Sequence, residues 1–152
     1  FNLSWGKCYI SPILDMNTNE IISYNLLTSP NMEQIRDMLN KAFERFPSVQ
    51  GLVMHSDQGW QYQHAAYVGA LAENGFVQSM SRKGNCIDNG ATEQVFGHVK
   101  DEFFRGRDWG DFESFKSDLD AYIVHWNTRR RQVKLKGLTP VEFRDQALRK
   151  AS

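Results

Sequence analysis

The sequence predicts an α/β layered fold with a mixed sheet. Three observations carry that reading. β-rich runs open the chain, helical periodicities then alternate with short strand-like runs, and turn-forming clusters separate them with no repeat, low-complexity tract or clear linker. At 152 residues, 41% hydrophobic and 12% aromatic, the chain has the length of one ordinary domain and can bury a sizeable core, so residues 1–152 are read as a single unit.

The elements follow in order. "KCYISPILD" and "EIISYNLL" flank the turn-former cluster "MNTN" and predict a hairpin. Pro12 cannot donate to a ladder, so the first strand needs a bulge or an edge-facing position there. Ser29 and Pro30 supply a cap and a first-turn proline for a helix whose Met32, Ile35, Met38, Leu39, Ala42, Phe43 and Phe46 recur at helical spacing, a core stripe. "GLVMH" predicts a short buried strand, "QHAAYVGALAENG" a helix that Gly75 can end, and "FVQSMS" another strand. "SRKGNCIDNGA" has the content of a loop. A helix from about Thr92 to Phe104 follows, then the break "RGRDWGD". The next helix carries Phe112, Phe115, Leu119, Tyr122, Ile123 and Trp126 on one face. "TPVE" is a capping box that starts a last helix, with Thr139 as cap, Pro140 at the first position and Glu142 three residues on.

Charge and composition narrow the function classes. Two cysteines, Cys8 and Cys86, are too few for a disulfide framework and sit in no metal-ligand spacing, which favours a reducing cytoplasm. No apolar run approaches a membrane span, and no leader opens the chain. It begins with Phe rather than Met, so the expectation is that something upstream has been removed. The net charge of zero conceals an asymmetry: residues 1–81 carry 4 Lys/Arg against 7 Asp/Glu, residues 82–125 carry 6 against 9, and residues 126–152 carry 8 against 2. The C-terminal cations, with Arg129, Arg130 and Arg131 among them, could seat a phosphate backbone or form a solvated helix end.

Two acids are the candidate chemistry. Asp57 follows an apolar run at the C-terminal end of a predicted strand, where open α/β sheets collect ligand sites. Glu93 lies in the first turn of a predicted helix, where the helix dipole favours its charge. There are 35 residues between them. Hard carboxylate oxygens, with no Cys or His in a ligand spacing, suit Mg²⁺ or Mn²⁺. Taken alone, the pair reads more readily as a turn acid and a helix-start acid, since any domain with 18 acids offers such pairs. His55, two residues before Asp57 on a strand, shares its face and could support the site. Gly59 and the polar turn after Asp57 would leave room for a ligand beside the acid. Arg82 and Lys83 stand at the mouth of the loop and could hold phosphate. Lys100 stands two helical turns after Glu93 on one face, and Gly97, one turn on, leaves that face open. His64, His98 and His125 share no ligand spacing.

The surrounding sequence resembles a known family. "HSDQGWQYQ" and "SRKGNCIDNGATEQVFGHVKDE" are similar to the second and third signatures of the catalytic core of insertion-sequence transposases, the OrfB-type branch of the retroviral integrase superfamily. "YIVHWNTRRRQVKLKGLTPVEFR" resembles the tail of these transposases, and "GKCYISPILDMNTNEIISY" their first hairpin. The resemblance covers nearly the whole chain in order, and the 35-residue spacing is that of the Asp, Asp, 35, Glu class.

The resemblance implies a ribonuclease H-like core: a five-stranded mixed sheet flanked by helices, with a basic helical tail at about 126–152. It implies three carboxylates holding two Mg²⁺ or Mn²⁺ ions, Asp57 as the second ligand and Glu93 as the third, and phosphodiester hydrolysis and strand transfer on DNA. Asp88 and Asn89 match family positions and would organise the site; a lysine at the place of Lys100 contacts DNA in such cores. The implied partners are element ends and target DNA, with a homo-oligomer on DNA, in the bacterial cytoplasm at the nucleoid, with no membrane and no nucleotide cofactor. The first catalytic Asp of the family falls a few residues upstream of Phe1, so "FNLSW" resembles the end of the first strand. Asp15 corresponds to the acid of the first hairpin turn. The expectation is a core inactive on its own. The alternative is a non-catalytic DNA-binding or oligomerising remnant of a transposase.

Overall fold

A computed structural model describes residues 1–29, 32–45, 51, 53–56, 64–80 and 90–151. Two short strands, β1 (Asn2–Leu3) and β2 (Gly6–Lys7), pair antiparallel. The predicted hairpin forms from β3 (Tyr9–Leu14) and β4 (Ile21–Leu27), antiparallel, with its register shifting between Ile13 and Leu14. The shift leaves Ile22 of β4 as the extra residue, while Pro12 itself stays in register opposite Tyr24. At the hairpin turn, the Asp15 carboxylate accepts from the amides of Asn17 at 2.9 Å and Thr18 at 3.4 Å, and Asn19 takes a left-handed φ of 58°. Asp15 is thus used as a turn acid.

Helix α1 (Met32–Arg45) buries Ile35, Met38, Leu39 and Ala42, with Met32 and Phe43 packed alongside. These are the predicted stripe residues. Pro30 and Phe46, also invoked there, lie outside the described residues. Strands β5 (Val53–Ser56) and β6 (Val77–Met80) pair in parallel across α2 (Ala65–Glu73). His64 caps α2 with its side chain, accepting from the Ala66 amide, and Gly75 exits it at φ 78°. The expected burial of β5 is incomplete: the paired Val53 and Val77 are exposed at its start.

Helix α3 (Gly90–Val99) runs into a π-helical turn at Lys100–Phe104, closed by the Arg105 amide donating to the Lys100 carbonyl at 2.8 Å. Helix α4 (Phe112–Thr128) is capped by Asp111, which accepts from the Ser114 amide, and buries Phe115, Leu119, Ile123 and Trp126. Helix α5 (Pro140–Ala151) starts in the predicted capping box: Thr139 Oγ1 accepts from the Glu142 amide and Glu142 from the Thr139 amide, both at 3.2 Å.

Apolar side chains collect in two clusters on either side of the hairpin. One joins Cys8, Ile21 and Leu26 to Val95, Val99, Phe103 and the buried face of α4, with Ile10 and Leu14 packed against it. The other joins α1 to Tyr67, Leu71 and Phe76, with Ile13 and Met54 packed against it. This is the layered α/β architecture. The sheet departs from the five-stranded expectation: among the described residues it consists of three separate two-stranded sheets. Among the described residues β1 is two residues long and its ladder is with β2.

Candidate active site

Asp57 lies outside the described residues, as do Gly59, Arg82, Lys83, Asp88 and Asn89. What is described is the strand leading to Asp57, since β5 ends at Ser56. In its register with β6, His55 pairs with Ser79, and His55 Nδ1 is 3.0 Å from Ser79 Oγ. The other ring nitrogen, Nε2, is buried and has no hydrogen-bond partner among the described residues.

Glu93 sits in the first turn of α3 and is exposed. A shallow groove of about 370 Å³ runs between α3 and β3, lined by Ile10, Pro12, Thr92, Glu93, Phe96, Gly97 and Lys100. The helical spacing therefore places Glu93, Gly97 and Lys100 on one open face, as α-helical geometry requires. A Cβ built on Gly97 meets nothing within 4 Å, so the glycine leaves room rather than relieving a clash. Among the described residues no group of three or more His, Cys, Asp or Glu side chains could hold a metal ion.

The C-terminal arginines, grouped in the sequence, separate in space. The Arg130 guanidinium grips the Glu102 carboxylate in two-pronged fashion, with Nε at 2.8 Å from Oε2, and lies 4.5 Å from the Trp126 ring centre. Tyr122 donates to the same carboxylate at 2.6 Å. Hydrogen bonding from Arg130 holds the Glu102 carboxyl below the usual glutamate range, and burial, with the bond to Glu102, pushes the Tyr122 hydroxyl up. Arg131 donates to the Gly137 carbonyl at 3.1 Å and approaches Glu142 at 3.4 Å, while Arg129 is exposed. Arg130 ties the end of α4 to the π turn that prolongs the Glu93 helix.

Sequence reasoning missed one constellation. Glu20 is fully buried, and its Oε1 takes hydrogen bonds from Arg45 at the end of α1 and from Arg144 of α5. The acid stands 25 and 124 positions from these partners, so no local pattern could join them.

Comparison with known proteins decides the family. An integrase core domain model matches residues 1–86, more than half of the chain, and a second integrase core domain model matches residues 93–148. The chain belongs to the integrase core domain family. This integrase core is 48% identical over 148 residues to a transposase-like protein of Haemophilus influenzae, covering 97% of this chain and 68% of that protein. It is 44% identical over 146 residues to a protein of Escherichia coli K12 named for the transposase InsK of insertion sequence element IS150, covering 96% of this chain and 52% of that protein. In the second case the chain spans about half of its relative's length. Its fold is that of the catalytic core domain of BIV integrase, with a TM-score of 0.67 and 18% identity over 100% of this chain and 94% of the other. The fold also matches a chain of a simian T-cell lymphotropic virus intasome bound to a PP2A regulatory subunit, with a TM-score of 0.67, 11% identity, and coverage of 87% of this chain and 46% of the other. The ribonuclease H-like fold and the insertion-sequence transposase resemblance expected from the sequence are thereby borne out.

Proposed function

We propose that this integrase core is the catalytic core of a DNA transposase that hydrolyses and transfers DNA strands, with Asp57 and Glu93 as two of its metal-binding acids. The observation that supports this most directly is the open face of α3, where Glu93, Gly97 and Lys100 line one groove beside β3. Glu93 fits a divalent cation: it is an exposed hard-oxygen donor at the start of a helix, on a groove that Gly97 leaves open. When bound, two Mg²⁺ or Mn²⁺ ions would activate the attacking oxygen and stabilise the leaving one. Lys100 would hold a backbone phosphate next to the acids. Arg82, Lys83, Arg129 and Arg131 would extend that contact, with Arg130 acting through its grip on Glu102. His55 would support Asp57 from the strand, and Gly59, Asp88 and Asn89 would shape the approach. Element ends and target DNA are the proposed substrates, and a homo-oligomer assembled on DNA is the proposed working form.

The register of β1 supports an upstream position for the first ligand. Phe1 exchanges both backbone hydrogen bonds with Cys8, its amino group donating to the Cys8 carbonyl at 2.8 Å and its carbonyl accepting from the Cys8 amide at 2.9 Å. Continued backwards in this antiparallel register, preceding residues would run along β3 past Ile10 and Pro12, the wall of the groove that Glu93 faces. An Asp there would complete the acid set, and the 152-residue chain without it would be inactive.

The test uses the full-length protein with the terminal sequences of its element. Mg²⁺-dependent cleavage and strand transfer are expected, lost in Asp57→Asn and in Glu93→Gln with DNA binding retained. Cleavage that survives either change refutes the assignment of that acid; DNA binding with no cleavage by the unaltered protein supports the non-catalytic remnant. Robust cleavage by the 152-residue chain, abolished by Asp15→Ala, would overturn the upstream ligand.

A further inference from the structure

The two acids of the proposed site belong to different packing units. Glu93 rides on α3, whose Val95 and Val99 lie in the cluster formed with the hairpin and α4. The strand β5, which leads to Asp57, packs through Met54 into the other cluster, with α1 and Phe76. Any geometry shared by the two depends on how firmly these layers are joined.

Glu20 is where they are joined by charge. Its side chain has no solvent exposure, and it precedes β4, which contributes Ile21 to the α3 cluster. Arg45 reaches it from the last turn of α1, also donating to the Ile22 carbonyl at 3.1 Å, and Arg144 reaches it at 2.7 Å from α5, which packs on α4 of the α3 cluster. Glu20 Oε2 is buried with no hydrogen-bond partner among the described residues. Such an arrangement is expensive: a buried carboxylate is desolvated, and an orphaned oxygen recovers nothing. A buried ion pair is often replaceable by apolar side chains of similar volume without loss of stability, so its presence is weak evidence for a purely stabilising role. What a shared carboxylate provides is directional register between two arms that approach from different elements.

We infer that Glu20 is a positioning residue that fixes the α1–β5 layer relative to the α3 layer through Arg45 and Arg144. Its importance for catalysis rests on the proposed function; the clasp itself does not. Spin labels at Val53 of β5 and Gln94 of α3, both exposed, report the relation directly in the 152-residue chain with Cys8→Ala and Cys86→Ser. Glu20→Gln keeps the shape and removes the charge. The expected result is a broadened distance distribution with its mean displaced by on the order of 1 Å or more. Arg45→Met and Arg144→Met should each broaden it, and the double change should add little beyond Glu20→Gln because all three remove one shared interaction. A distribution unchanged in Glu20→Gln, with only a lower melting temperature, overturns the inference and leaves Glu20 a simple stabiliser. If Glu20→Gln does not fold, the two arginine variants decide by the same reading.

In the full-length protein the same change should lower Mg²⁺-dependent cleavage about 10- to 100-fold with DNA affinity unchanged. Should the unaltered protein fail to cleave, the proposed function falls, whereas the label distances still decide the clasp.

Discussion

Asn127 satisfies both backbone groups of Ile21: its Oδ1 accepts from the Ile21 amide at 2.9 Å and its Nδ2 donates to the Ile21 carbonyl at 3.0 Å. Beside it, Trp126 Nε1 donates to the Asn19 carbonyl at 2.9 Å, and Asn19 Nδ2 donates to Gln132 at 3.1 Å. Trp126 and Asn127 therefore grip the β3–β4 hairpin at its turn and at the start of β4, Asn127 from 106 positions away. Replacing Asn127 by Leu leaves two partly buried backbone groups unpaired, and a loss of about 2–3 kcal/mol in chemical denaturation is expected. A loss below the error of the measurement would show that water replaces the side chain.

The Glu102–Arg130 pair should make stability acid-sensitive. Because Arg130 holds the folded-state Glu102 below its ordinary value of 4.5, the pair stabilises fully above that pH and its contribution disappears as pH falls below it. The melting temperature of Arg130→Met should therefore lie below that of the parent at neutral pH, and the gap should close as pH drops through this range. A gap independent of pH would assign the loss to the Trp126 contact instead.

Gly97 separates fold from function. It lies inside α3 with open space around it, so Gly97→Ala should stabilise the helix by about 0.5–1 kcal/mol. In the full-length protein the added methyl stands in the groove beside Glu93 and should reduce DNA cleavage. Cleavage at the parent level would remove the groove from the DNA path.

Lys100 is expected to hold a phosphate rather than to read sequence. In Lys100→Ala, full-length protein should bind all DNA sequences more weakly, and the slope of log affinity against log salt should fall by about 1. An unchanged slope would place Lys100 off the DNA.

Much of the fold was legible because its signals are local. The stripe Ile35, Met38, Leu39 and Ala42, the Gly75 exit and the Thr139–Glu142 box each act within a few residues, and each appears where the pattern put it. The π turn after Val99 carried no such signal: "VKDEFF" has ordinary helical composition, and the wide turn coincides with the tertiary bonds that Glu102 makes to Arg130 and Tyr122. The division of the sheet was not legible either, since hairpin and strand periodicity say what each segment forms and not what lies between pairs.

The candidate site shows the same boundary. Sequence alone determined the family, the order of elements, and the helical spacing that brings Glu93, Gly97 and Lys100 to one face, because periodicity and caps are set by covalent neighbours. Tertiary structure decided which charges are occupied. Arg130 is drawn to Glu102 and Arg144 to Glu20, across 28 and 124 positions, while Arg129 stays exposed. An ion pair is chosen by distance and burial, and both exist only once the chain has folded.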